Sequence, residues 1–210
     1  MRKSIYIIRH GETDMNKNGY IQGSGVDSSL NEKGQWQAKA FYEHYKHLDF
    51  EVVLTSKLVR THQTVAPFVQ NGLSWEQFQE INEMSWGIYE GKRGDEMMRK
   101  DYKAMINEWK QGNFDHRLPQ AESAAELANR IQKFVDQLRT RTEELILVCS
   151  HGRAMRCLMC VLNGDHLGEM ERYKHANTGL YKAIYENGQF TLELENDIQH
   201  IKQAELNSII

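Results

Sequence analysis

A chain of 210 residues, 40% hydrophobic and 26% charged, has the composition of a globular protein and the length to bury a sizeable core. Its formal net charge of −3 gives no general attraction to nucleic acid or to an anionic membrane surface, so neither is expected as a partner. No apolar run approaches the length of a membrane span, and the sequence enters a strand without the apolar core of a signal peptide.

In chain order, Ile5-Tyr6-Ile7-Ile8 is a short apolar run rich in β-branched residues, the mark of a buried parallel strand. It leads into Arg9-His10-Gly11-Glu12-Thr13 and a polar, glycine-containing loop from Gly11 to Ser29. Asn31 is a plausible N-cap for a helix whose apolar stripe is Ala38, Phe41, Tyr45 and Leu48. Glu51 to Thr55 predicts a second strand, followed by a helix from about Lys57 that Pro67 should kink or end. A strand is expected over Phe78 to Ile81, just before Glu83. From about 89 to 118 the composition turns highly charged but mixed in sign, which predicts a helical insertion over the active-site edge of the sheet. Ser123 to Arg141 is a strong amphipathic helix carrying Leu127, Ile131, Phe134, Val135 and Leu138. A strand ending at Cys149 delivers Ser150-His151-Gly152, and a helix follows over Arg153 to Leu162. Asn187-Gly188 between two alternating runs signals a type I′ hairpin. Alternating β and α elements predict an α/β fold: a mostly parallel central sheet flanked by helices, with an antiparallel hairpin at its border. Residues 1–210 read as a single domain.

The three cysteines, Cys149, Cys157 and Cys160, form no disulfide framework. The C-x-x-C at 157–160 lacks the further ligands that zinc requires and sits inside an apolar helix rather than at a helix start. Buried small hydrophobes in a reducing, cytoplasmic protein are the expected reading. His44 and His47 lie at helical spacing without a carboxylate set and read as solvated. Neither a P-loop nor a dinucleotide fingerprint is met: Gly87-Ile88-Tyr89-Glu90-Gly91-Lys92-Arg93 has the wrong spacing, and Gly23-Ser24-Gly25-Val26-Asp27-Ser28 lacks its last glycine.

Chemistry concentrates at the two His-Gly pairs. Ligands of open α/β sheets sit outside the carboxyl ends of the strands, so His10 and His151 should reach one edge together. A lone His-Gly would merely close a strand; two of them, with Arg9 beside the first, suit an anion. His10 is the candidate nucleophile, provided one ring nitrogen is unprotonated and the other donates to a fixed acceptor. Gly11 is expected to let a substrate approach without a Cβ in the way. Arg9 and Arg60 are candidate phosphate clamps, because a guanidinium fork matches phosphoryl oxygens. His151 would stabilise charge on the equatorial oxygens, and Glu83 is the candidate general acid.

Arg9-His10-Gly11-Glu12-Thr13-Asp14-Met15-Asn16 resembles the R-H-G-E-T-x-x-N signature of the histidine phosphatase superfamily, or phosphoglycerate mutase-like family. The resemblance continues through Ile21-Gln22-Gly23, Leu30 to Gly34, Ser56 to Thr64, Glu83 to Gly91 (E-x-x-x-G-x-x-E-G), Pro119 to Ser123, and Ser150-His151-Gly152. It implies that His10 becomes a phosphohistidine and Glu83 donates the proton. Arg9, Arg60 and His151 would hold the phosphoryl group, Asn16 would assist, and Gln22 and Gly23 would line the pocket. It implies neither a metal nor another cofactor, and a small-molecule phosphate ester as the substrate. Both a monomer and a homodimer fit.

The family contains phosphatases and mutases. Glycolytic mutases have an arginine directly after the acid, where this chain has Met84, and carry a paired-arginine, multi-proline insertion that is absent between Tyr89 and Leu118. Hydrolysis is therefore expected, with mutase activity as the alternative and a non-catalytic phosphate-binding module behind both. Ser28-Ser29 stands where a proline is usual, which predicts a looser loop after Gln22.

Overall fold

The computed structural model describes residues 2–207. Strand β1 (Arg2–Arg9) is followed by the single turn α1 (Asp14–Lys17), helix α2 (Glu32–Tyr45), strand β2 (Val52–Thr55) and helix α3 (Val59–Gln70). Next come strand β3 (Ser74–Gln77), helix α4 (Glu96–Lys110), helix α5 (Ala124–Thr140), strand β4 (Leu145–Ser150) and helix α6 (Gly152–Asn163). Strands β5 (Leu180–Glu186) and β6 (Gln189–Asp197) and helix α7 (Gln199–Asn207) complete the order. The six strands form one sheet in the order β3-β2-β4-β1-β5-β6. The first four are parallel; β5 runs antiparallel to β1, and β6 antiparallel to β5.

Both faces of the central strands are covered, which is why they read as continuous apolar runs. Ile5, Ile7, Ile146 and Val148 face a core shared with α4, α5 and α6, whereas Ile8, Leu147 and Cys149 face Phe41 of α2 and Val65 and Phe68 of α3. The register pairs Arg9 with Ser150, so β1 and β4 end level and His10 and His151 leave the same edge side by side.

Local signals place the helices. Asn31 caps α2 by accepting from Gly34 N, and Ser123 and Glu126 close a reciprocal capping box on α5. The hairpin has Asn187 at φ 53° and Gly188 at φ 84°, as a type I′ turn requires. The insertion holds α4, whose buried Met105, Ile106 and Trp109 join the larger core.

Two elements differ from expectation. Strand β3 occupies Ser74–Gln77, and residues 79–81 form a 3-10 turn instead of the strand expected over Phe78 to Ile81. As an edge strand with all four side chains exposed, β3 has no apolar pattern, while Ile81 is buried by a turn packed under the core. Pro67 lies inside α3 and does not end it, since the helix runs on to Gln70. Helix α7 was not anticipated. Its buried residue is His200, which packs edge-on against Phe41 of α2 at 5.2 Å.

Candidate active site

His10 is 3% exposed, and its Nδ1 lies 2.7 Å from the carbonyl of Gly11. A carbonyl only accepts, so Nδ1 carries the proton and Nε2 keeps its lone pair. Burial first, then the charges of Arg9 and Arg60, hold its pKa well below the ordinary 6.5. The ring is therefore neutral at neutral pH, the state a nucleophile needs. Gly11 serves a different purpose from the one expected. A Cβ there would stand 2.6 Å from the carbonyl oxygen of Gly34, so the glycine lets the loop cross the start of α2 in backbone contact. The crossing is fixed by Thr64, whose hydroxyl accepts from Gly11 N at 2.9 Å.

His151 is fully buried, with its ring centroid 5.2 Å from that of His10. Arg60 donates from Nε to His151 Nδ1 at 3.1 Å, which puts the His151 proton on Nε2, facing Ser56 Oγ at 2.8 Å. Burial and the Arg60 charge push the His151 pKa well down. Arg60 itself is fully buried, and its amino groups donate to the carbonyls of Val26 at 2.7 Å and Gly23 at 3.3 Å. The guanidinium thus stands beside both imidazoles but also holds down the loop at 22–28.

That loop is tied at several points. Asp27 accepts from Val59 N at the start of α3, Ser28 donates to Gln22, and Gln22 donates to Thr13. Glu90 accepts from Gly25 N at 2.8 Å and from Trp86 N at 2.9 Å. A Cβ on Gly23 would sit 1.9 Å from that carboxylate and 2.8 Å from the carbonyl of Met84. Ser28-Ser29 in place of proline is accordingly compensated by side-chain bonds, and the looser loop expected there is not what the contacts describe.

Glu83 is 7% exposed, and its charge acts on both Arg9 and Arg60. One oxygen accepts from Met84 N at 2.8 Å and Ala154 N at 3.0 Å, the other from Arg153 N at 3.1 Å. It therefore caps α6 from outside, satisfying orphan N–H groups of the first turn. Arg130 fixes this segment by donating to the carbonyls of Glu80, Asn82 and Glu83, while Glu122 holds the guanidinium with both oxygens at 2.6 and 2.8 Å. Glu83 borders a cleft of about 540 Å³ that Ser24, Ser85 and Gln120 also line. A larger cleft of about 610 Å³, between α2 and α7 beside Trp36, His44 and His200, contains none of these residues.

Arg9 uses one amino group on His175, at 3.2 Å from Nδ1 and 3.0 Å from the carbonyl. Its Nε and the Oδ1 of Asn16 are buried polar atoms without a hydrogen-bond partner among the described residues. An orphan N–H of this kind is the donor that an incoming anion satisfies. Sequence reasoning missed His175, Arg130 and Asn177, whose Nδ2 donates to the carbonyl of His10 at 3.0 Å, and it gave Ser56 no role of its own within the Ser56 to Thr64 segment. No spacing pattern marks them, since His175 is 166 positions from Arg9. Among the described residues no group of three or more His, Cys, Asp or Glu is arranged to hold a metal ion, and no helix is long and apolar enough to cross a membrane. Cys149, Cys157 and Cys160 are buried free thiols.

Two imidazoles and a guanidinium gathered where parallel strands end, with a carboxylate held by three backbone N–H groups, make this an α/β protein equipped for phosphoryl chemistry. The chain belongs to the histidine phosphatase superfamily (branch 1), whose family profile matches residues 5–198. It is 26% identical over 202 residues to "Putative phosphoserine phosphatase 2" of Hydrogenobacter thermophilus, covering 96% of this chain and 98% of that one. It is 27% identical over 215 residues to "Probable phosphoglycerate mutase GpmB" of Shigella dysenteriae, covering 98% of each. Among solved structures, the alpha-ribazole phosphatase of Shigella flexneri superposes with a TM-score of 0.81 at 26% identity, over 94% of this chain and 96% of the other. YhfR of Bacillus stearothermophilus matches equally, with a TM-score of 0.81 and 26% identity over 95% and 99% of the two chains.

Proposed function

We propose that this chain is a phosphomonoester hydrolase that works through a phosphohistidine on His10 and needs no metal. The observation that carries the reading is the free Nε2 of His10, held unprotonated by the Nδ1–Gly11 bond beside Arg9, Arg60 and His151. In the first step Nε2 bonds to phosphorus, the ester P–O bond breaks, and Glu83 gives its proton to the leaving alcohol. In the second, water attacks the phosphohistidine while Glu83 takes a proton back, releasing phosphate and free His10. Arg9 offers its unpartnered Nε–H to a phosphoryl oxygen. Arg60 and His151 add charge and a ring N–H by exchanging their contacts with the loop and Ser56. Asn16 assists, and Gln22 and Gly23 form the wall of the pocket.

Hydrolysis is favoured over mutase chemistry because Met84, directly after the acid, is buried in the core and offers nothing to a substrate carboxylate. The single domain over 1–210, with its helical insertion at about 89–118, and a small-molecule substrate belong to the same proposal. So does a reducing, cytoplasmic setting, in keeping with three unpaired thiols.

The test is turnover of an aryl phosphate with chelator present, together with acid-labile, base-stable labelling of the protein. Wild type should label and turn over, and His10→Ala should do neither. Release of inorganic phosphate from 3-phosphoglycerate without 2-phosphoglycerate separates hydrolase from mutase. Activity abolished by chelation contradicts the proposal. Phosphate binding without turnover on any ester, including phosphoserine and alpha-ribazole phosphate, leaves only a binding module.

A further inference from the structure

The turn that precedes β5 grips the catalytic strand end at three points. Asn177 Nδ2 donates to the carbonyl of His10 at 3.0 Å, Thr178 N donates to the carbonyl of Arg9 at 3.1 Å, and His175 takes one amino group of Arg9 on both ring and carbonyl. This turn is held in an unusual shape. Thr178 is a buried β-branched residue at φ 53°, a left-handed conformation that such residues rarely adopt. Its hydroxyl donates to the carbonyl of Asn177 and faces His200 Nε2 at 3.0 Å, so α7 braces it from behind.

His175 is the one member of the turn whose side chain touches a side chain of the phosphoryl site. An arginine N–H only donates, so the ring nitrogen facing Arg9, Nδ1, is unprotonated and the ring proton sits on Nε2. Burial, then the charges of Arg9 and Arg156, push its pKa down to about 3, so the acceptor persists at every working pH. The ring fits there because residue 152 is glycine: a Cβ would lie 3.2 Å from Nδ1 and Cε1. Gly152 follows His151 and begins the helix whose next two N–H groups hold Glu83. His175 thus stands between Arg9 and the end of α6 that carries the acid.

We propose that His175 is a positioning residue: by accepting from one amino group of Arg9, it turns the buried, unpartnered Nε–H of that guanidinium toward the phosphoryl group on His10. An arginine on a strand end has four rotatable bonds, and without a fixed acceptor its head is free to swing. With one amino group pinned twice, the remaining donors are pre-aimed, which is how a neutral side chain improves an anion site without touching the anion. The inference rests on the phosphohydrolase reading for the role of Arg9, and its test is chosen to stand apart from turnover.

Calorimetric affinity for inorganic phosphate is compared in wild type, His175→Ala, His175→Asn and His175→Gln, with urea unfolding measured on each. Asparagine places its amide oxygen near the position of Nδ1, whereas glutamine reaches the position of Nε2. His175→Ala should weaken phosphate binding by about 5- to 150-fold, the range for leaving a charged donor misdirected. His175→Asn should recover most of it, and His175→Gln should not. In aryl phosphate turnover the alanine variant should lose kcat/KM by a similar factor. Unchanged phosphate affinity in His175→Ala, or an asparagine variant as weak as alanine at equal stability, overturns the proposal. Wild type that binds phosphate with this pattern but never turns over an ester upholds the positioning role and discards the hydrolase reading.

Discussion

Three backbone N–H groups converge on the carboxylate of Glu83, so its place is fixed before any substrate arrives. Substituting Glu83→Gln removes the proton donor and leaves one of those N–H groups opposite an amide. The burst of alcohol released in the first turnover should slow by about 10²–10⁴ for an alkyl phosphate, whose leaving group needs the proton. It should slow far less for a nitrophenyl phosphate, whose leaving group does not. Equal losses on both esters would remove the acid role. At His10 the sign of the pH effect is set by the same physics. Protonating Nε2 destroys the nucleophile, and burial with two neighbouring guanidiniums holds that event well below pH 6.5. The acid limb of kcat/KM should therefore fall below 6.5, and a limb centred at or above that value would contradict the geometry. The residues to which the proposed reaction gives a role were legible in sequence because they follow strands and sit in compact motifs. Those that aim them were not. His175, Asn177, Ser56 and Arg130 act through carbonyls and side chains far away in the chain, and their positions are set by tertiary packing alone.

The loop at 22–28 is the element on which Arg60 depends. Its carbonyls at Gly23 and Val26 receive the guanidinium, and Glu90 anchors it to the segment after the acid through Gly25 N and Trp86 N. Glu90→Ala removes two charge-assisted bonds and should cost about 1–3 kcal/mol of stability, read from urea midpoints. Because the freed loop releases Arg60, phosphate affinity should fall as well. A stability loss with unchanged phosphate affinity would show that the loop braces the fold only. Glu90 was visible as part of a motif, but its partners were not, since a carboxylate spanning two loops has no period. The same reason hid β3 and α7. An exposed edge strand carries no alternation, and a short helix whose buried residue is a histidine carries no apolar stripe. The central strands and α5 were readable because burial on both faces, or on one helical face, writes itself into the residue pattern.

At the scale of the molecule, four histidines are held neutral by the fold. His10 and His151 are pushed well down, His175 to about 3 and His200 to about 4, each chiefly by burial. In the unfolded chain all four titrate near 6.5, so between there and pH 4 the unfolded state binds more protons than the native one. A base whose folded pKa is depressed gives up stability as pH falls through its unfolded value. His200 alone, 1% exposed and shifted from 6.5 to about 4, should account for about 3 kcal/mol across that window. Carboxylates add to the loss mainly below that window: Glu171, gripped by Arg153 and Arg156, is drawn from 4.5 down to about 2, so its contribution is present above 4.5 and is given up only as pH falls from there toward 2. Unfolding free energy by urea should therefore be highest near neutrality and drop by several kcal/mol between pH 7 and pH 4.5. His200→Gln should flatten part of that slope, because the amide can still donate to Thr178 but does not titrate. A profile level from pH 7 to 4.5 would mean that these rings accept protons without strain. That would undo the neutral-imidazole arrangement on which both the nucleophile and its Arg9 clamp depend.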